Sequence, residues 1–229
     1  MYAIPLGTVY CPSNKSISWS FTPTFLDRSG SMAGLEDDTV GGFNAMVEKQ
    51  KKEPGEALIS AVLFSDESEV LYDRVDLRRV EPMNERQYCF GGCTALLDAI
   101  GGAVRHIANV HKYAREEDRP AKTVFVITTD GMENASRRYT CDEVKRMVSH
   151  EREKYGWEFL FLGANMDAIS SARSFGIRPD RAVRFRNDGR GTKLNYSVVS
   201  QTVARIRRHE EIDADWCAPI ENDVKDRGE

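Results

Sequence analysis

Short, unbroken apolar runs punctuate the chain: "ALISAVLF" at 57–64, "KTVFVITT" at 122–129, "WEFLFLGA" at 157–164 and the weaker "RAVRF" at 181–185. Strands that alternate apolar and polar residues have one wet face, whereas continuous runs of this length suit strands covered on both faces of a parallel sheet. The intervening segments carry helical spacing. Phe43, Met46 and Val47 share one face after "GLEDD", and Leu96 or Leu97, Ile100, Val104 and Ile107 share another. Val144, Met147 and Val148 follow Thr140, whose spacing to Glu143 forms a capping box. Leu194, Val198, Thr202 and Ile206 predict a last helix. Strand, loop and crossover helix, repeated, give an α/β doubly wound sheet with helices on both faces. "SEVLYD" at 68–73 alternates and follows "FSDE" too closely for a crossover, so it is expected as one antiparallel edge strand beside 57–64 in an otherwise mostly parallel sheet.

Composition adds limits. The 229 residues are 41% hydrophobic and 30% charged, enough for one sizeable core. No run approaches the ~18 apolar residues of a membrane helix, and "MYAIPLGTVYCPSNK" has neither a basic start nor a sustained apolar stretch, so a cytoplasmic setting and no membrane partner are expected. Cys11, Cys89, Cys93, Cys141 and Cys217 are scattered without the pairing of a zinc site and are expected to be reduced. The net charge of -4 is unevenly placed: residues 170–208 carry ten Arg and Lys against two Asp, and residues 209–229 carry eight acidic side chains against two basic. The basic third either meets an acidic partner or is balanced by the tail. "PIENDVKDRGE" lacks periodicity and is expected to fray.

The chemistry gathers at strand ends. "DRSGSM" places Asp27, Ser29 and Ser31 at alternate positions just after "TFLD"; "KTVFVITTD" ends in Asp130; "GGCTALLDAI" puts Thr94 just before a helix. In open α/β sheets the carboxyl ends of the strands are where ligands bind. Two carboxylates with three hydroxyls make an all-oxygen site for a hard divalent ion, most naturally Mg2+, with Mn2+ or Ca2+ less selectively accepted. Gly30 permits the tight turn, and Gly91 and Gly92 ease the approach of the Thr94 loop.

Together, "LDRSGSM", "GGCTAL" and "TTDGMEN" resemble the metal-ion-dependent adhesion site of the von Willebrand factor A (VWA) family, over roughly residues 20–208. The resemblance is to the small stand-alone bacterial or phage-encoded members. It implies a Rossmann-like VWA domain over 20–208, with 1–19 as an N-terminal extension and 209–229 as an acidic, partly disordered C-terminal tail. It also implies a metal held by Asp27, Ser29, Ser31, Thr94 and Asp130, with Ser29, Ser31 and Thr94 in direct contact and the two carboxylates direct or through water. The ion would complete its shell with an Asp or Glu of a partner protein, such as a kinase, phosphatase or ATPase encoded nearby. Glu133 and Asn134 either border the site and read that partner or initiate a helix; the surrounding 84–94 and 132–138 segments are the expected docking surface. One departure from the family is Pro23, which interrupts "SISWSFTPTFLD" and implies either a very short first strand or an atypical one, leaving residues 1–22 as an extra strand or loose arm.

Two other functions compete. A magnesium-dependent hydrolase or phosphotransferase also places Asp at strand ends. It would need a base, however, and His106, His111, His150 and His209 fall in helical or loop patterns away from those ends, with no Walker, HExxH or GxSxG sequence. Nucleic-acid binding through the arginine-rich C-terminal third lacks interleaved aromatics and is followed directly by acid. The sequence therefore reads as a metal-dependent protein-binding module rather than an enzyme.

Overall fold

A computed structural model describes residues 20–164 and 167–228. The expected N-terminal extension, 1–19, and Cys11 lie outside the described residues. In chain order the elements are β1 (Ser20–Asp27), α1 (Glu36–Lys51), β2 (Ala57–Phe64), β3 (Ser68–Asp76), α2 (Leu96–Tyr113), β4 (Lys122–Thr129), α3 (Cys141–Tyr155), β5 (Glu158–Ala164), α4 (Ala168–Ser174), β6 (Ala182–Phe185), α5 (Gly189–Arg207) and α6 (Ala218–Asp226). The six strands form one sheet in the order β3-β2-β1-β4-β5-β6. All neighbours are parallel except β2 and β3, which pair antiparallel as the alternating "SEVLYD" predicted.

Both faces of the sheet are buried, and the period of two sorts the side chains between them. Phe21, Phe25, Phe125, Ile127, Phe159 and Phe161 pack with Leu96, Ile100, Val104, Val144, Val148 and Ala172 of α2, α3 and α4. The intervening Leu26, Val124, Val126, Leu160 and Leu162 pack with Phe43, Met46 and Val47 of α1 and Val198, Val203 and Ile206 of α5. The first face is aromatic: Phe125 stacks on Phe159 at 4.8 Å and on Trp157 at 5.3 Å between ring centres. Each such ring, fully buried, stabilises the fold by about 1.5–3 kcal/mol. Thr140 and Glu143 form the reciprocal capping box of α3.

Two expectations are corrected. β1 is not shortened by Pro23: it runs as eight buried residues from Ser20, pairing with β2 at every position, while its pairing with β4 is interrupted at Thr22 and Pro23 and resumes over Thr24, Phe25 and Leu26. A proline lacks one donor, so only the neighbour that donor would have faced loses a rung. The acidic tail does not simply fray either. Ala218–Asp226 is helical, with Ile220 buried beside Trp216 and Cys217. Arg190 bonds Asp223 at 3.0 Å and Arg227 bonds Asp188 at 2.7 Å, so ion pairs of both senses tie the tail to the preceding third.

Candidate metal centre

Strand register brings the site together. Leu26 is level with Thr128, so Asp27 at the end of β1 lies beside Thr129, one residue before Asp130. The loop after β1 is fastened to the loop before α2 by backbone bonds from Gly30 N–H to Gly92 O (3.1 Å) and from Gly91 N–H to Arg28 O (2.8 Å). Gly92 has φ +82°, and a Cβ there would stand 1.9 Å from Asp66 Oδ2, so glycine is required by both backbone and space. Cys93 N–H donates to the same Asp66 carboxylate (3.0 Å), fixing the residue before Thr94.

All five expected ligands meet here. Asp27 is buried, with Oδ1 accepting from Ser29 N–H (2.8 Å) and Oδ2 from the Thr129 hydroxyl (2.5 Å). Ser29 and Ser31 Oγ lie 3.1 Å apart, and the Ser31 hydroxyl donates to Asp130 Oδ1 at 2.7 Å. Thr94, also buried, presents its hydroxyl against the Asp130–Gly131 turn; a Cβ on Gly131 would fall 2.4 Å from Thr94 Oγ1.

Glu133 and Asn134 border the site, but through the backbone of α2 and Thr94. No helix begins at either, and neither side chain is free to read a partner with its bonded atoms. Both Glu133 oxygens turn inward, accepting from Leu97 N–H (2.8 Å), Ala135 N–H (3.0 Å), Ser136 N–H (2.8 Å) and the Ser136 hydroxyl (2.7 Å). Asn134 clasps Thr94: its Oδ1 accepts from Thr94 N–H (2.9 Å), and its own N–H donates to Thr94 O (3.1 Å). The reason is that α2 has Ala95 at its N-cap, with no side-chain cap of its own, so its first amides are satisfied from the 133–136 loop.

Further residues of the site went unread in the sequence. Asn187, just after β6, donates from Nδ2 to Asp130 Oδ2 (2.7 Å), and the buried Tyr88 hydroxyl donates to Asp27 O. Asn187 had one signal, its position as a polar residue beyond a strand's carboxyl end. Tyr88 had none.

Electrostatics explain what the arrangement lacks. Burial, reinforced by the neighbouring charge of Asp27, raises the Asp130 pKa against the lowering effect of its bonds from Ser31 and Asn187. Among the described residues no Lys, Arg or His forms an ion pair with Asp27 or Asp130, and no three or more His, Cys, Asp or Glu side chains are grouped so as to hold a metal by themselves. Two buried carboxylates therefore stand without a protein countercharge, and buried charges are normally paired or bound to metal. The oxygens fit a small hard cation. Magnesium-ligand bonds of about 2.0–2.1 Å put adjacent octahedral oxygens about 2.9 Å apart; the separations here are 2.7 Å and 3.1 Å.

The same architecture recurs in solved structures. The vWF domain of the type V pili tip protein Mfa5 from Porphyromonas gingivalis superposes with a TM-score of 0.61 at 11% identity, covering 86% of this chain and 98% of that one. The fold is that of a von Willebrand factor type A domain. Manganese-loaded TRAP protein from Plasmodium vivax gives a TM-score of 0.54 at 14% identity over 82% of this chain and 73% of its own. Proximal thread matrix protein 1 from the mussel byssus, with a zinc-occupied metal-ion-dependent adhesion site, gives 0.54 at 16% identity over 85% of this chain. This chain spans 48% of that mussel protein. No protein-family profile matches the sequence, and no curated protein matches it.

Proposed function

We propose that this VWA domain is a metal-dependent protein-binding module in which a divalent cation, Mg2+ by preference, links the Asp27, Ser29, Ser31, Thr94 and Asp130 cluster to an Asp or Glu of a partner protein. The observation that carries the reading is the pair of buried carboxylates without a protein countercharge, ringed by three hydroxyls. The zinc and manganese named for the mussel and Plasmodium proteins support a divalent ion at such a site. Ser29, Ser31 and Thr94 supply neutral oxygens. Asp27, held by Ser29 N–H and Thr129, anchors the loop beneath them, and Asp130 is aimed by Ser31 and Asn187. When bound, the cation would supply an electrophilic position for a partner carboxylate, because five protein oxygens leave an octahedral ion one coordination position to fill. Phe90 (48% exposed) and Met132 (70% exposed) flank it on the loops leading to Thr94 and following Asp130, and offer apolar anchors beside that charge.

The other readings draw less support. His111 packs on Phe21 and Trp157, at the amino-terminal end of the sheet, and His106 and His150 bond Asp73 and Glu151, so none is placed as a base for hydrolysis. Against nucleic acid, much of the basic third is already paired: Arg178 and Arg181 with Asp180, Arg205 with Glu210 and Asp213, and Arg208 with Glu53 and Glu210. A cytoplasmic partner, including a kinase, phosphatase or ATPase, is part of this proposal.

The test is capture of partners from native lysate in Mg2+ and in EDTA, with wild type and Thr94→Ala. A protein retained by wild type in Mg2+, released by EDTA and absent from the variant is expected. A partner set that ignores both changes would overturn the reading.

A further inference from the structure

Behind Asp27, on the side facing α1 and α5, lies a small cavity with about 10 Å3 open to the centre of a water-sized sphere. Its walls include Asp27, Thr39, Thr192, Asn195 and Tyr196. Three of these are polar side chains no more than 6% exposed whose polar atoms have no protein partner: Thr192 Oγ1, both amide atoms of Asn195 and the Tyr196 hydroxyl; the buried Thr39 hydroxyl beside them has only the Tyr88 hydroxyl within reach. A buried polar atom left unpaired is destabilising, and such atoms are rare in native proteins singly, let alone as a group.

We propose that this cavity is a built-in site for one water molecule, which joins Thr39 of α1 to Thr192, Asn195 and Tyr196 of α5 on the inner side of Asp27. The volume admits about one water, and a buried water makes two to four bonds when polar groups surround it. The inventory is complementary: the Asn195 amide offers both a donor and an acceptor, and each hydroxyl turns to suit. Burial raises the Tyr196 pKa well above its ordinary value, so its hydroxyl stays protonated and able to donate. Its ring is held in place from α1, since a Cβ on Gly42 would stand 2.2 Å from Tyr196 Cδ2. Direct pairing of the four side chains with one another is not what the structure shows. The water therefore completes the contact between α1 and α5, and this does not depend on cation binding at the outer side of Asp27.

A crystal structure of the full chain at about 1.5 Å, grown once with Mg2+ and once with EDTA, tests the site. The expected result is a solvent peak in both maps within hydrogen-bond distance, about 2.7–3.2 Å, of Asn195 and at least two of the three hydroxyls. Oxygen-17 relaxation dispersion should then count one long-lived internal water fewer in Asn195→Leu, whose side chain fills the space without polar atoms. A wild-type map without the peak, with Tyr196 instead bonded directly to Asn195, overturns the proposal. So does a peak that disappears in EDTA, because that water would belong to the cation, or an unchanged water count in a folded Asn195→Leu. If that variant does not fold, the two wild-type maps alone decide.

Discussion

Replacing Glu133 with alanine separates a residue that builds the site from one that reads a partner. Four donors converge on its carboxylate, and the most consequential is Leu97 N–H, an orphan amide in the first turn of α2. Losing a cap of this kind costs about 0.5–2 kcal/mol. The Ala135 and Ser136 amides and the Ser136 hydroxyl add about 0.5–1.5 kcal/mol each at most, discounted because water reaches a half-buried loop. The expected loss for Glu133→Ala is thus about 2–4 kcal/mol. Glu133→Gln keeps one carbonyl acceptor but sets an amide donor against the remaining donors, for a loss of about 1–2 kcal/mol. Urea unfolding in EDTA, read as a lower midpoint at unchanged slope, measures both without interference from metal. If Glu133→Ala lies within about 0.5 kcal/mol of wild type and yet loses its partner, the carboxylate faces the partner after all and the capping argument is wrong.

Other substitutions and conditions bear on neighbouring points. Gly131→Ala should expel the Thr94 hydroxyl from the site and weaken divalent-ion binding at least tenfold by calorimetry; unchanged affinity would mean Thr94 is not a ligand. Arg207 is partly buried and clamps the end of α1 through the carbonyls of Gln50 (2.6 Å), Pro54 and Gly55, so Arg207→Ala should cost about 2–4 kcal/mol in urea melts, whereas an unaltered midpoint would discount the clamp. Burial, reinforced by the nearby charges of Arg119 and Arg74, lowers His111 from 6.5 to about 4. The folded state therefore binds its proton less readily than the unfolded chain, stability should fall as pH drops from about 6.5 to 4, by up to roughly 3 kcal/mol, and His111→Gln should flatten that slope. Because burial and Asp27 raise the Asp130 pKa, protons should begin to displace the cation at a higher pH than an ordinary aspartate would allow, which titrations at stepped pH will show.

What was legible in the sequence follows from how locally each feature is encoded. Residues 57–64 and 122–129 coincide with β2 and β4 because two-sided burial forces uninterrupted apolar runs. That Asp27, Ser29, Ser31, Thr94 and Asp130 gather at one sheet edge was legible because each ends or follows an element whose register the hydrophobic pattern already placed. Pro23 misled because its missing bond affects only the β4 side, while Phe21, Phe25 and Leu26 keep the alternation that buries β1. The docked tail was hidden because α6 contributes Ile220 as its one buried apolar side chain, its charges finding partners such as Arg190 and Asp188 outside the helix. The bond from Glu133 to α2 was hidden because it accepts from an amide 36 residues earlier, a contact no local pattern records.

The central claim is that Asp27, Ser29, Ser31, Thr94 and Asp130 bind one divalent cation. Manganese titration followed by electron paramagnetic resonance counts bound ions directly, with Mg2+ competition reporting preference. The account predicts one site in wild type, displaced by Mg2+, and no tight site in Thr94→Ala whose circular dichroism matches wild type. Equal binding by the two proteins, or no binding by wild type at millimolar Mn2+, would contradict it.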